Sequence, residues 1–303
     1  MNRVTRREAL EWVAAGVLLS GATASVRAAG NDRIIISGAS GQLGGEAVKD
    51  LLARGVAPKN LILVTRTPES LAQYAQLGAT IRFGDFSKPE SLPAAFADGT
   101  RMLLISIGTG AGPRSVAHGH AIDAAKAAGV KQIAYTSWLG ISKGDTQGIA
   151  VDHVATEDLL RKCGVPYTFL RNSLYMETLL PRAAKMVADG KVSVPSAEVR
   201  IGYVTRGDCA ASAAAVLCTP GHDNKIYDIT GPALIGVRDI AAAATAATGK
   251  PITLVPADPN SPPARGFAGP SIAFTSTAVA ALTGHPATSV KVFFAANRAK
   301  LLT

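Results

Sequence analysis

Gly38, Gly41 and Gly44 stand three residues apart in Ser37-Gly38-Ala39-Ser40-Gly41-Gln42-Leu43-Gly44-Gly45, a spacing suited to holding a phosphate. Ile34, Ile35 and Ile36 precede them as a β-branched run that reads as a buried parallel strand. From Leu43 onward the apolar positions recur at helical spacing. Glycine lets the backbone turn tightly and approach a pyrophosphate. The free N–H groups and the positive end of the helix dipole then stabilise the anion. Residues Gly38, Ala39, Ser40, Gly41, Gln42, Leu43 and Gly44 are therefore expected to bind a dinucleotide, because strand and helix flank them on the required sides.

The second apolar run ends Val64-Thr65-Arg66-Thr67, with no carboxylate to accept from ribose hydroxyls. Arg66 offers a guanidinium fork that suits a 2′-phosphate, which predicts NADP(H) in preference to NAD(H). The other reading of Arg66 is a solvated loop arginine. Asp85 and Phe86 follow the third run, where the adenine edge would lie. Asp85 would accept from the adenine amino group and Phe86 would pack on the ring, unless Asp85 simply caps the next helix. Ser106, Ile107 and Gly108 follow the fourth run and would pass beside the nicotinamide ribose. Thr136, Ser137 and Asn172, at the ends of the fifth and sixth runs, complete the predicted cofactor set.

Short-chain reductases present a hydroxyl where Tyr135-Thr136-Ser137 ends the fifth run, and add a Tyr with a Lys four residues on. Here the residues four beyond the six tyrosines are Gly78, Leu139, Arg171, Leu179, Gly207 and Gly231, so no such pair exists. Nothing is then placed to protonate a developing alkoxide, and ordinary ketones lose support as substrates. Quinones, imines, azo compounds and triarylmethane cations remain, since their reduction needs mainly proximity and orientation. No catalytic residue is assigned. Ser137, His153 and Tyr175 are candidates, and Trp138, His153, Asn172, Leu174 and Tyr175 are expected to line the substrate pocket. His153 shares a helix face with Thr156, which suits a cleft or simply a first helical turn. His118 and His120 are two apart on a helix and face different ways, so a metal site is not expected. Neither is a flavin.

The elements that must position these residues alternate strictly. Strands are predicted at 61–65, 79–83, 101–106, 131–136 and 166–170 after the first, with helices at 43–54, 68–77, 114–128 and 151–164 between them. This implies an α/β fold: a Rossmann-type, doubly wound parallel sheet with its ligand at the carboxyl ends of the strands. Beyond residue 174 the regularity weakens to helices at 206–218 and 236–248 and a strand at 225–229. Residues 251–270, rich in Pro, Gly and Ala, read as loop. This region, 174–303, is expected to be a small α+β part covering the substrate rather than an independent domain.

The chain has 303 residues, 48% of them hydrophobic, enough for one large domain, and a formal net charge of +9. Its positive residues form no run of Lys or Arg, which argues against nucleic acid as a partner. Residues 1–29 stand apart from the domain at 30–303. Thr5-Arg6-Arg7-Glu8-Ala9-Leu10 resembles a twin-arginine export signal, and residues 13–19 form an apolar stretch too short to span a bilayer. Cleavage would follow Ala24 or Ala28. The expectation is a periplasmic or exported protein that meets the twin-arginine machinery already folded, without stable membrane insertion. An amphipathic N-terminal extension on a cytoplasmic protein is the alternative. Cys163, Cys209 and Cys218 contain no CxxC pair and read as buried structural thiols. A homodimer is compatible with these features.

Together these stretches resemble the NmrA-like branch of atypical short-chain dehydrogenases, which includes NADPH-dependent quinone oxidoreductases and triphenylmethane reductases. The matching residues are 38–45, Arg66, Gly84-Asp85-Phe86, residues 127–131, Tyr135-Thr136-Ser137, His153 with Thr156 and Glu157, and residues 166–172. The resemblance implies that the glycine loop and Arg66 hold NADP, and that Leu170-Arg171-Asn172 borders the nicotinamide and a small-molecule acceptor. It also covers non-catalytic redox sensors, so a dinucleotide-binding regulator is the alternative to an enzyme.

Overall fold

The computed structural model describes residues 32–108, 113–142, 148–195, 198–258 and 272–303. The expected export segment lies outside the described residues. Strands β1 (Ile34–Ser37), β2 (Leu61–Thr65), β3 (Thr80–Phe83), β4 (Arg101–Leu104), β5 (Gln132–Trp138) and β6 (Tyr167–Asn172) are followed by β7 (Lys191–Val194), β8 (Lys225–Ile229) and β9 (Thr253–Pro256). All except β7 and β9 form one seven-stranded sheet in the order β3-β2-β1-β4-β5-β6-β8, and every pairing in it is parallel. Strand order reverses between β1 and β4, which opens a crevice there for a ligand.

The central strands are buried along most of their length because helices cover both faces, and β1 and β2 are near-continuous apolar runs. On one face α1 (Gln42–Ala53) packs against α7 (Arg206–Cys218), joining Val48, Leu51, Ala210, Ala214 and Leu217 in one cluster. The alanines of α7 let the two helices approach closely. On the other face α3 (Leu92–Phe96), α4 (Arg114–Ala127) and α5 (Gly148–Cys163) bury Leu92, Phe96, Ala121, Ile122, Leu160 and Phe169. The doubly wound sheet expected from the alternation is present.

Beyond β6, α6 (Leu180–Asp189) and α8 (Val237–Thr248) pack with α9 (Val290–Ala296) around Ala183, Ile240 and Phe294. This part is fastened to the sheet, since the Thr288 amide donates to buried Asp208 of α7 at 2.9 Å. Thr253–Pro256, expected as loop, instead pairs in parallel with Lys191–Val194. The predicted helix at 68–77 is a 3₁₀ turn, Pro68–Leu71, that runs into the short helix α2 (Ala72–Gln76).

Candidate cofactor and acceptor site

The chain leaves β1 through Gly38, whose φ of +64° lies in the left-handed region that glycine favours. A Cβ on Gly44 would drive into the Gly38 carbonyl and lie 2.9 Å from Cα of Ala39, so only glycine lets α1 start this close to β1. The Gly41 amide donates to the Gly38 carbonyl at 2.9 Å and closes the turn. No side chain caps α1. Its first amides are therefore left for an anion.

Ser40 Oγ lies 2.6 Å from Thr65 Oγ1, which ties the glycine loop to the end of β2. Arg66 follows, exposed. Burial pushes the nearby Asp85 carboxyl up, but the Ser87 amide and hydroxyl, and then the Arg66 charge, outweigh it and hold it below its ordinary value. Asp85 Oδ1 accepts from the Ser87 amide at 3.0 Å and from its hydroxyl at 2.8 Å, the turn-forming role. Phe86 departs from expectation. It is buried in the core with its ring edge-on to Phe96 and His118, which leaves it little open face for adenine.

The fourth strand ends two residues earlier than predicted, and side chains explain why. The Ile105 amide donates to Ser37 Oγ at 2.9 Å, the Ser106 amide to Thr136 Oγ1 at 2.8 Å, and the Ile107 amide to His118 Nε2 at 3.2 Å. Three consecutive amides thus leave the ladder for side chains of β1, β5 and α4. Ser106, Ile107 and Gly108 are held in the crevice, with Ser106 Oγ buried and unpartnered.

Behind this segment lies a polar cluster that the sequence reading only partly foresaw. Tyr135 Oη is 2.8 Å from His153 Nδ1, and Arg114 Nη1 is 3.3 Å from His153 Nε2. His118 Nδ1 is 2.9 Å from Thr156 Oγ1. Burial first, and the Arg114 charge second, bring His118 down to about 4; burial, Arg114 and His118 bring His153 down to about 3. Burial raises the Tyr135 and Tyr175 phenols. None of these groups is poised to deliver a proton near neutral pH. His153 does share a face with Thr156, but it is buried behind Trp138, stacked on it at 6.4 Å and 26°. Both its nitrogens are engaged, which corrects its assignment to the open pocket.

Ser137 is also committed. Its hydroxyl donates to Glu157 Oε1 at 2.7 Å, and Arg171 grips the same carboxylate with Nε at 2.9 Å and Nη2 at 2.8 Å. Arg161 adds a contact of 2.8 Å. Asn172 is buried at the end of β6 and gives Nδ2 to Tyr175 Oη at 3.4 Å, while its Oδ1 has no partner. The Tyr175 ring lies under the Arg206 guanidinium at 4.9 Å. Leu174 packs with Leu139, Ile201 and Ile272. Arg114, Tyr135 and Glu157 were absent from the predicted site. For Arg114 the signal was a cation on a helix face otherwise made of small residues, Ala117 and Ala121; Tyr135, inside a strand, carried none.

A dinucleotide fits what is present: a helix end without a cap, a glycine contact that a Cβ would fill, and buried orphan acceptors at Ser106 and Asn172. Among the described residues no three His, Cys, Asp or Glu side chains gather as a metal site, and no helix is long and apolar enough to cross a membrane. Fold and site define a nicotinamide dinucleotide-binding protein of the Rossmann type. A family model described as NAD(P)H-binding matches residues 38–220. Quinone oxidoreductase 2 of Escherichia coli (strain K12) is 36% identical over 222 residues, 73% of this chain and 76% of that protein. NAD(P)H azoreductase of Xenophilus azovorans is 28% identical over 73% of this chain and 76% of its own length. The triphenylmethane reductase of Citrobacter sp., solved in complex with NADP(H), superposes with a TM-score of 0.76 at 30% identity, covering 87% of this chain and 99% of that one. The chain belongs to the NAD(P)H-binding family, within its NmrA-like atypical short-chain dehydrogenase branch, and is an NAD(P)H-dependent oxidoreductase.

Proposed function

We propose that the protein reduces quinone-like, azo or triarylmethane-type acceptors by direct hydride transfer, with NADPH preferred over NADH. One observation carries this reading: among the described residues of the crevice wall no acid is free. His118 and His153 are held neutral, and the Ser137 hydroxyl is spent on Glu157. Acceptors that need orientation rather than an enzymic proton suit such a wall. When bound, the reduced nicotinamide supplies a hydride. The glycine loop and α1 bind the pyrophosphate, Arg66 pairs with the 2′-phosphate, and Ser106 and Asn172 orient the reacting end. Trp138, Leu174 and Tyr175 shape the acceptor's space and exclude water. The similar quinone oxidoreductase and azoreductase support this acceptor class. Export of the folded protein belongs to the same reading, on the strength of Arg6-Arg7 and the apolar stretch after them. Cell fractionation tests it.

The test of the enzyme is titration of the purified protein with NADPH and NADH, followed by a quinone in the same cuvette. The expected result is tighter NADPH binding and rapid loss of its absorbance. Tight binding with no oxidation by quinones, azo compounds or cationic dyes would overturn it in favour of a sensor.

A further inference from the structure

Arg114 is a buried cation without a counter-charge among the described residues. It stands in the first turn of α4 and is 6% exposed. Nη1 contacts His153 at 3.3 Å and Nε has no partner. Glu157, the buried carboxylate on the same side of the sheet, is already taken by Arg161 and Arg171. Among the described residues no carboxylate pairs with Arg114, and the titratable groups that feel its charge are His118, Tyr135 and His153. All three are uncharged near neutral pH, so no described residue there cancels it. His153 touches both groups: its Nε2 meets the guanidinium at 3.3 Å, and its ring face stacks on Trp138, which is half-buried at the carboxyl end of β5. A full positive charge therefore stands one imidazole away from Trp138, the residue expected to wall the acceptor's space. In a medium less polar than water such a charge acts over several ångströms.

Resting on the reductase reading above, we propose that Arg114 sets the charge class of the acceptor: neutral and anionic acceptors are favoured over cationic ones. The hydride leaves the nicotinamide with its electron pair, and the acceptor is reduced by two electrons. A neutral quinone gains a negative charge in that step and later takes a proton from water. A cationic dye loses its charge instead. The Arg114 field stabilises the first change and opposes both the binding and the approach of a cation.

The experiment compares kcat/KM for three acceptors of similar reduction potential: a naphthoquinone sulfonate, an uncharged naphthoquinone and a triarylmethane cation. In the unaltered protein the first two should exceed the cation by on the order of tenfold. Arg114→Met, which keeps length and removes charge, should narrow or invert that ratio, while Arg114→Lys should retain it. Equal rates for all three in the unaltered protein would overturn the proposal even if Arg114→Met does not fold. So would a folded Arg114→Met that loses activity equally toward all three. No turnover with any acceptor would instead overturn the reductase reading on which the proposal rests.

Discussion

The Ile107 amide donates to Nε2 of His118 at 3.2 Å, and that contact fixes the imidazole's tautomer. Nδ1 carries the proton and donates to Thr156 Oγ1 at 2.9 Å, whose hydroxyl in turn donates to the Asp152 carbonyl at 2.7 Å. The segment 105–108, proposed to meet the nicotinamide end of the cofactor, is thus held by a neutral histidine. Protonation would turn the acceptor Nε2 into a donor facing the donor amide.

Acid stability should report this arrangement. Burial, with Arg114 second, holds His118 at about 4 and His153 at about 3, both from an ordinary 6.5. A base with a depressed folded value binds its proton mainly in the unfolded chain between the two values. The stabilisation is therefore complete above the ordinary value and is lost as pH falls toward the folded one, with about one proton taken up per histidine on unfolding. Denaturant midpoints should fall on moving from about pH 7 to about pH 4.5. His118→Asn should begin lower and decline less steeply. Parallel declines in the two proteins would refute the assignment of His118.

Gly44 and Gly45 are adjacent in α1 yet should respond oppositely to alanine. A Cβ on Gly44 meets the Gly38 carbonyl, and backbone cannot step aside, so Gly44→Ala should destabilise by roughly 1–3 kcal/mol or more and weaken NADPH binding. A Cβ on Gly45 has its nearest neighbour, the Ala39 carbonyl oxygen, at 3.9 Å. There alanine improves helix propensity, and Gly45→Ala should stabilise by about 0.5–1 kcal/mol. Thermal melts with and without NADPH separate the two effects.

The doubly wound sheet was legible because its strands are short apolar runs and its helices keep their period, so Ile34–Ser37 and Arg206–Cys218 stand where pattern places them. The edge pair Lys191–Val194 and Thr253–Pro256 escaped notice. Both are partly exposed, and Pro256 belongs to a proline-rich stretch, so neither carries a core signature. The glycine loop was equally legible, since Gly38 and Gly44 answer to local geometry. The Arg114–His153–Tyr135 cluster was not. Its members come from α4, α5 and β5, and nothing in their local spacing shows that the three converge. The same tertiary convergence commits Ser137 to Glu157, which its position at the end of a strand does not reveal.

Arg66 should separate the two nicotinamide cofactors. It is exposed at the carboxyl end of β2, beside the glycine loop that Ser40 and Thr65 fasten. A charge-assisted pair with a phosphate is worth about 1.5–3 kcal/mol. Arg66→Ala should therefore lower NADPH affinity roughly tenfold or more and leave NADH affinity almost unchanged. Equal losses measured for both by fluorescence titration would show that Arg66 does not read the 2′-phosphate.

Glu157 and Ser137 provide the sharpest contrast between stability and chemistry. The Glu157 carboxylate is buried and holds a two-point grip from Arg171, a contact from Arg161 and the Ser137 hydroxyl. Its bonds raise the Arg171 pKa, as expected for a guanidinium fitted to a carboxylate. Glu157→Gln keeps the shape but leaves two arginines facing a neutral amide, and should cost about 3–5 kcal/mol of stability. Ser137→Ala removes one donor from a carboxylate that retains the others, and should cost only about 1 kcal/mol. If Ser137 serves the fold rather than the acceptor, Ser137→Ala should also keep kcat within roughly threefold, less than the 1.4 kcal/mol that a tenfold change represents. A loss of a hundredfold or more with an unchanged melting temperature would return Ser137 to the chemistry, since a hydroxyl bonded only to Glu157 in the resting protein would then have to turn toward the acceptor during turnover.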